Sequence, residues 1–119
     1  MNDHVHWMLT LDIRDGQLEP LKALMEEMVA ATEANEPGTL NYEWYLSEDG
    51  KTCHLYERYV DSAAVMIHLK SFGEKFAERF MGCVQPSGFV VYGNPDQTVR
   101  DALADFGPAW MAPIGGFAR

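Results

Sequence analysis

The chain has 119 residues, 47% of them hydrophobic, and a formal net charge of -9. That length suits one ordinary domain able to bury about two-thirds of its unfolded surface, and the hydrophobic share excludes a disordered chain. The negative charge sets the surface against nucleic acid and anionic membranes, which carry the same sign.

Val5 to Ile13 alternates strictly, with Val5, Trp7, Leu9, Leu11 and Ile13 on one face, and predicts a strand. Asp15-Gly16 turns the chain. From Leu18 the period becomes helical: Leu18, Leu21, Leu24, Met25, Met28, Val29 and Thr32 share a stripe, and Pro20 suits the first turn. This helix is expected to stop before Glu36-Pro37-Gly38, because Pro37 cannot continue it.

Thr39 to Leu46 predicts a second strand, with Leu40, Tyr42, Trp44 and Leu46 on one face. Ser47-Glu48-Asp49-Gly50 is a hairpin turn into a third strand, Thr52 to Val60. There Cys53, Leu55, Glu57 and Tyr59 share a face. Asp61-Ser62 starts a short helix over 63–69, and a further helical stretch carries Phe72, Phe76 and Phe80 until Gly82. Gly88 to Tyr92 predicts a short fourth strand, and Asn94-Pro95 opens a last helix.

This order is that of an α+β, ferredoxin-like split βαβ with an antiparallel four-stranded sheet. Helices can cover only one face of it. The other would carry Met8, Tyr45, Tyr56, Val60 and either Val90 or Tyr92, so a second copy packed sheet on sheet is expected. Residues 1–119 read as one domain, with a core over about 5–93 and a C-terminal helix and apolar tail over 94–119. The tail is expected to dock in a groove, on its own subunit or on the partner, through Trp110, Ile114 and Phe117.

Three stretches resemble the antibiotic biosynthesis monooxygenase family. Glu36-Pro37-Gly38-Thr39-Leu40-Asn41-Tyr42-Glu43 is similar to the start of its second strand, Leu55-Tyr56-Glu57-Arg58-Tyr59 to its third, and His68-Leu69-Lys70-Ser71-Phe72 with Phe76 to its helix junction. The resemblance implies a dimeric α+β barrel with a pocket in each subunit, between the sheet and its own helices. Its members include cofactor-independent quinol and anthrone monooxygenases, haem-degrading monooxygenases and an isomerase of a signalling sugar phosphate. Leu55 and Tyr59 stand where the anthrone enzymes carry Asn and Trp, and His68 alone matches the haem-degrading set.

His68 is the leading candidate for proton transfer, since imidazole titrates near neutrality. Glu57 and Tyr59 would join it as a carboxylate and a hydroxyl if their strand face points to the helices. Tyr42, Trp44, Leu55, Phe72 and Phe76 would then line the substrate pocket, although Tyr42, Trp44 and the two phenylalanines read first as core. His4 and His6 are two potential metal ligands but do not make a site.

The expectation is therefore a monooxygenase acting on a small aromatic or quinol-like compound, with no flavin, metal or other cofactor. The alternative is a non-catalytic small-ligand-binding or regulatory dimer, and a haem-handling protein comes third. Partners are a homodimer mate and a small molecule, with no nucleic acid and no membrane. The N-terminus lacks a secretory pattern, Cys53 and Cys83 form no disulfide framework, and no apolar run nears the roughly 20 residues of a membrane helix. A cytoplasmic location with reduced thiols is expected.

Overall fold

The structure, a computed structural model, describes residues 2–119. Strand β1 (Val5–Ile13) leads to helix α1 (Leu18–Asn35), the hairpin β2 (Thr39–Leu46) and β3 (Thr52–Tyr59), helices α2 (Ser62–Lys75) and α3 (Ala77–Cys83), and β4 (Val84–Tyr92). Helix α4 (Gln97–Leu103), a 3-10 turn over Ala104–Phe106 and a short β5 (Ala109–Met111) complete the chain. The sheet order is β2-β3-β1-β4-β5. Neighbours among the first four strands pair antiparallel, the split βαβ arrangement expected, and β5 adds a fifth strand parallel to β4. The four-stranded expectation thus falls one strand short.

The alternating face of β1 packs under the helices: Val5, Trp7 and Leu11 are buried. Leu21, Leu24 and Met28 of α1 close one part of the core with Leu55, Phe80 and Val84. Val65 of α2 and Val99 and Leu103 of α4 close the other with Val5, Tyr59 and Val91. Helix α2 begins where Asp61 accepts a bond from the Ala64 N–H at 2.8 Å, an N-cap that satisfies a free amide.

Four boundaries differ from the sequence reading, each for a physical reason. Helix α2 runs through Lys70-Ser71 to Lys75, and the break falls at Phe76, whose φ of -129° leaves the helical region. Strand β4 starts at Val84, because a bulge beside Thr10 and Leu11 absorbs Ser87 and lets Pro86 and Gly88 pair with β1. A second bulge between Thr39 and Asn41 turns Leu40 away from its expected partners, leaving it 46% exposed. Asp96, and not Asn94, caps α4 by accepting from the Val99 N–H at 3.0 Å.

The helix-free face of the sheet carries Met8, Tyr56, Val90 and Tyr92, all half-buried, and the exposed Tyr45. His6, Thr10 and Arg58 are interleaved with them, so this face is mixed rather than wholly apolar. His6 stacks on Tyr92 with ring centroids 5.2 Å apart, and His4 Nδ1 accepts from Arg58 Nε at 2.8 Å. Among the described residues no helix is long and apolar enough to cross a membrane.

The tail docks only in part. Trp110 of β5 packs on the core and lies under the Arg100 guanidinium, 4.7 Å from its ring centroid. Ile114 and Phe117 stand clear of the subunit, at 102% and 82% exposure. Deleting residues 107–119 should therefore destabilise the fold by about 1–3 kcal/mol, the cost of uncovering the Trp110 contact, whereas deleting 113–119 should leave a single subunit's stability unchanged. Denaturant melts of the two truncations against the full chain read this directly.

Candidate functional site

The site starts from a carboxylate on a strand. Glu57 lies on the buried face of β3 and is 3% exposed. Its cross-strand partner on β1 is Trp7. That register lets Trp7 Nε1 donate to Glu57 Oε2 at 2.8 Å. Tyr59, two residues along the same face, donates its hydroxyl to Glu57 Oε1. Helix α2 crosses above and brings His68 down, so that His68 Nε2 lies 3.0 Å from the same oxygen.

The other imidazole nitrogen is also bound. His68 Nδ1 is 2.8 Å from Glu36 Oε1, with Glu36 itself 6% exposed. Glu36 sits where α1 ends, and its backbone N–H caps the helix by bonding to Thr32 O. Thr39 Oγ1 donates to the same Glu36 oxygen at 3.1 Å. His68 is thus clamped between two buried carboxylates. Burial alone would push its pKa down, but the hydrogen bonds and charges of Glu36 and Glu57 more than reverse this and raise it to about 9. Near neutral pH it is an imidazolium, and the cluster of Glu36, His68 and Glu57 carries a net charge of about -1.

Burial, then the charge of Glu57, holds the Tyr59 hydroxyl well above its ordinary range, so it remains a donor. Tyr42 is shifted the same way, by burial first and then by the Glu57 and Glu36 charges. Its ring meets His68 edge-on at 5.5 Å.

A cavity of about 360 Å³ opens beside this cluster. Glu57, His68, Trp7 and Tyr42 line its buried end, and Leu9, Met28, Leu55, Phe72, Phe80 and Phe89 form apolar walls. Met81, Phe106 and Gly107 stand at the exposed end. Of the residues singled out from sequence, His68, Glu57, Tyr42, Leu55 and Phe72 meet at this cavity. Tyr59 stands behind it, bonded to Glu57. Trp44 and Phe76 pack into the core and do not line it.

Two members of the cluster escaped the sequence reading. Glu36 was legible only as a helix terminator, although a glutamate next to Pro-Gly was the available signal. Trp7 was one of five apolar residues on its strand face, and nothing short of the β1–β3 register places it opposite Glu57. His4 and His6 are occupied by Arg58 and Tyr56, and among the described residues no group of three or more His, Cys, Asp or Glu is placed to hold a metal. Haem does not fit His68 either: both ring nitrogens are bonded to carboxylates, which leaves no lone pair for an axial iron bond.

A split βαβ sheet with helices on one face and a cavity between the two defines an α+β class. Within that class the chain belongs to the antibiotic biosynthesis monooxygenase family, whose model matches residues 5–85. Solved structures similar to it include three that bear on the fold. MupZ from Pseudomonas fluorescens superposes with a TM-score of 0.88 and 26% identity, covering 100% of this chain and 91% of that one. Rv0793 from Mycobacterium tuberculosis gives 0.67 and 25%, covering 79% and 97%. A mutant of SnoaB, a cofactor-independent oxygenase from Streptomyces nogalater, gives 0.65 and 14%, covering 80% and 96%, and at that identity it speaks for the fold alone. The likeness to MupZ takes in the C-terminal segment that the family model leaves out. No curated protein sequence gives a significant match.

The clamp makes stability depend on pH with a defined sign. The folded-state pKa of His68, about 9, lies above its unfolded value of 6.5, so folding favours the protonated form. The stabilisation is complete below pH 6.5, declines between 6.5 and about 9, and is gone above that. It amounts to on the order of 3 kcal/mol at about 1.4 kcal/mol per unit. Denaturant titrations across this range should show the decline in the wild type. In His68→Gln the same decline should be missing, which separates it from other groups titrating at high pH.

Proposed function

We propose that this chain is a cofactor-independent monooxygenase whose Glu57, steadied by His68 and Glu36, removes a proton from a small aromatic or quinol-like substrate. One observation carries this reading: a buried carboxylate, flanked by an imidazolium, at the closed end of an otherwise apolar cavity. Glu57 Oε1 already accepts from Tyr59 and His68, whereas Oε2 accepts from Trp7 alone and keeps a lone pair free. Glu57 is therefore the base. The sequence reading had favoured His68, but an imidazolium with both nitrogens engaged has no site to receive a proton.

Proton abstraction moves the negative charge from the cluster to the substrate, so the total in the cavity stays at about -1 and the new anion faces a neutralised cluster. The electron-rich substrate anion then reduces dioxygen. One oxygen atom ends as a new carbonyl on a ring carbon; the other leaves as water, carrying that carbon's single hydrogen and the hydroxyl proton that Glu57 had taken. Glu57 returns its proton to the departing oxygen, so the protein ends unchanged. The family's name, antibiotic biosynthesis monooxygenase, supports the same reading.

The second reading, a non-catalytic small-ligand-binding or regulatory dimer, draws on a specific observation: most of the cluster's hydrogen-bonding capacity is spent internally. Oxygen consumption with a panel of dihydroxy-aromatics separates the two. Wild type should turn over at least one compound, and Glu57→Gln should lose about 10²-fold or more in kcat/KM, the usual worth of a positioned base. Full activity in Glu57→Gln would remove the proposed base. Saturable binding with no turnover would favour the ligand-binding reading.

We also propose a cytoplasmic homodimer formed through the helix-free face of the sheet. Tyr45 and Val60, 54% and 40% exposed there, support it, as do two free, buried cysteines suited to a reducing compartment. Light scattering should return twice the subunit mass of 13.4 kDa, and Tyr45→Asp should shift it toward the monomer. A monomer mass at micromolar concentration sinks the dimer.

A further inference from the structure

We infer that the cavity selects a neutral amphiphile: a single hydroxyl head seated at Glu57 and an apolar tail leaving between Met81 and Phe106. The inference rests on the cavity's being the substrate site, and it adds which chemical class enters and by which end.

The head group follows from charge. The cavity floor carries the net negative cluster of Glu36, His68 and Glu57, whose one cation is already shared by two carboxylates. No lysine or arginine lines the cavity among the described residues. A carboxylate or phosphate would bring a second unpaired negative charge into a desolvated site. A hydroxyl instead donates to the open lone pair on Glu57 Oε2.

The tail follows from shape. At the inner end Glu57 and Trp7 are 3% and His68 6% exposed, whereas at the outer end Met81 is 44% and Phe106 64% exposed. An aromatic wall joins the two ends. Phe106 meets Phe89 edge-on at 6.5 Å, and Phe89 meets Trp7 at 5.6 Å, the residue that donates to Glu57. A soluble protein has little reason to leave Phe106 and Met81 uncovered unless something apolar passes between them. Phe106 belongs to the segment after α4, outside the family-matched residues 5–85, so this side of the mouth is an addition to the family domain and sets which tails are accepted.

Calorimetry with two matched probes tests this without turnover. At pH 7, 4-heptylphenol is neutral and 4-heptylbenzoate is ionised. The phenol should bind about ten-fold tighter or more. Glu57→Gln should narrow that gap, because it removes the charge that repels the benzoate. Phe106→Asp and Met81→Asp, both at exposed positions and so compatible with folding, should weaken 4-heptylphenol about five-fold or more. They should leave 4-ethylphenol, too short to reach the mouth, within about two-fold. Equal or tighter binding of the benzoate, no binding of either phenol, or mouth variants that spare the long tail would each overturn the inference. A protein that binds in this pattern yet consumes no oxygen overturns the oxygenase reading and leaves the selectivity standing.

Discussion

Glu36, Glu57 and His68 are each no more than 6% exposed, and a buried carboxylate without a counter-charge costs several kcal/mol. Each therefore depends on the others being in place. The imidazolium joins the end of α1 to the middle of β3, and α2 supplies it. Tyr59 donates to the Glu57 oxygen that His68 meets and Trp7 to the other, so β1 is tied to the same point. A helix terminus, two strands and a crossing helix thus meet at one charge cluster, and none can shift far without stranding a charge in apolar surroundings.

The cluster also explains why a cavity persists in so small a core. Close packing would ordinarily fill 360 Å³ with side chains. Here the core splits into two groups, one under α1 and α3, the other under α2 and α4. Leu9 of β1 packs against both, and the space between them ends at Glu57 and His68. The short 3-10 turn after α4 does not seal the outer end, and Gly107 there adopts the left-handed φ of 62° that redirects the chain into β5. The parallel pairing of β5 with β4 holds that turn beside the cavity. Polar chemistry at the inner end and apolar access at the outer end are consequences of this layering.

Much of the architecture was legible in the residues. Periodicity located β1, α1 and the β2–β3 hairpin, since a buried strand face and a helical stripe impose periods of 2 and 3.6. It also placed Glu57 and Tyr59 together on one face. Where the reading failed, local signals were outvoted by pairing. Pro86 and Ser87 look like loop residues, yet a bulge admits them to β4. Lys70-Ser71 looks like an interruption, yet packing of α2 on the sheet carries the helix through it. The tail's β5 has three residues, too few for any period to show.

By itself, then, the sequence determined the α+β class, the faces of β1 and β3 and the presence of a carboxylate and a histidine near the helix-covered layer. These depend on spacing along the chain, which sequence states directly. Only the tertiary structure decided that Trp7 donates to a carboxylate 50 residues away, and that Glu36 reaches a histidine 32 residues away. It also decided that this histidine is held as a cation between two acids, and so cannot act as the free base its type suggests. Those outcomes depend on strand register and on where α2 crosses the sheet, and both are set by packing across the whole core rather than by any local stretch of residues.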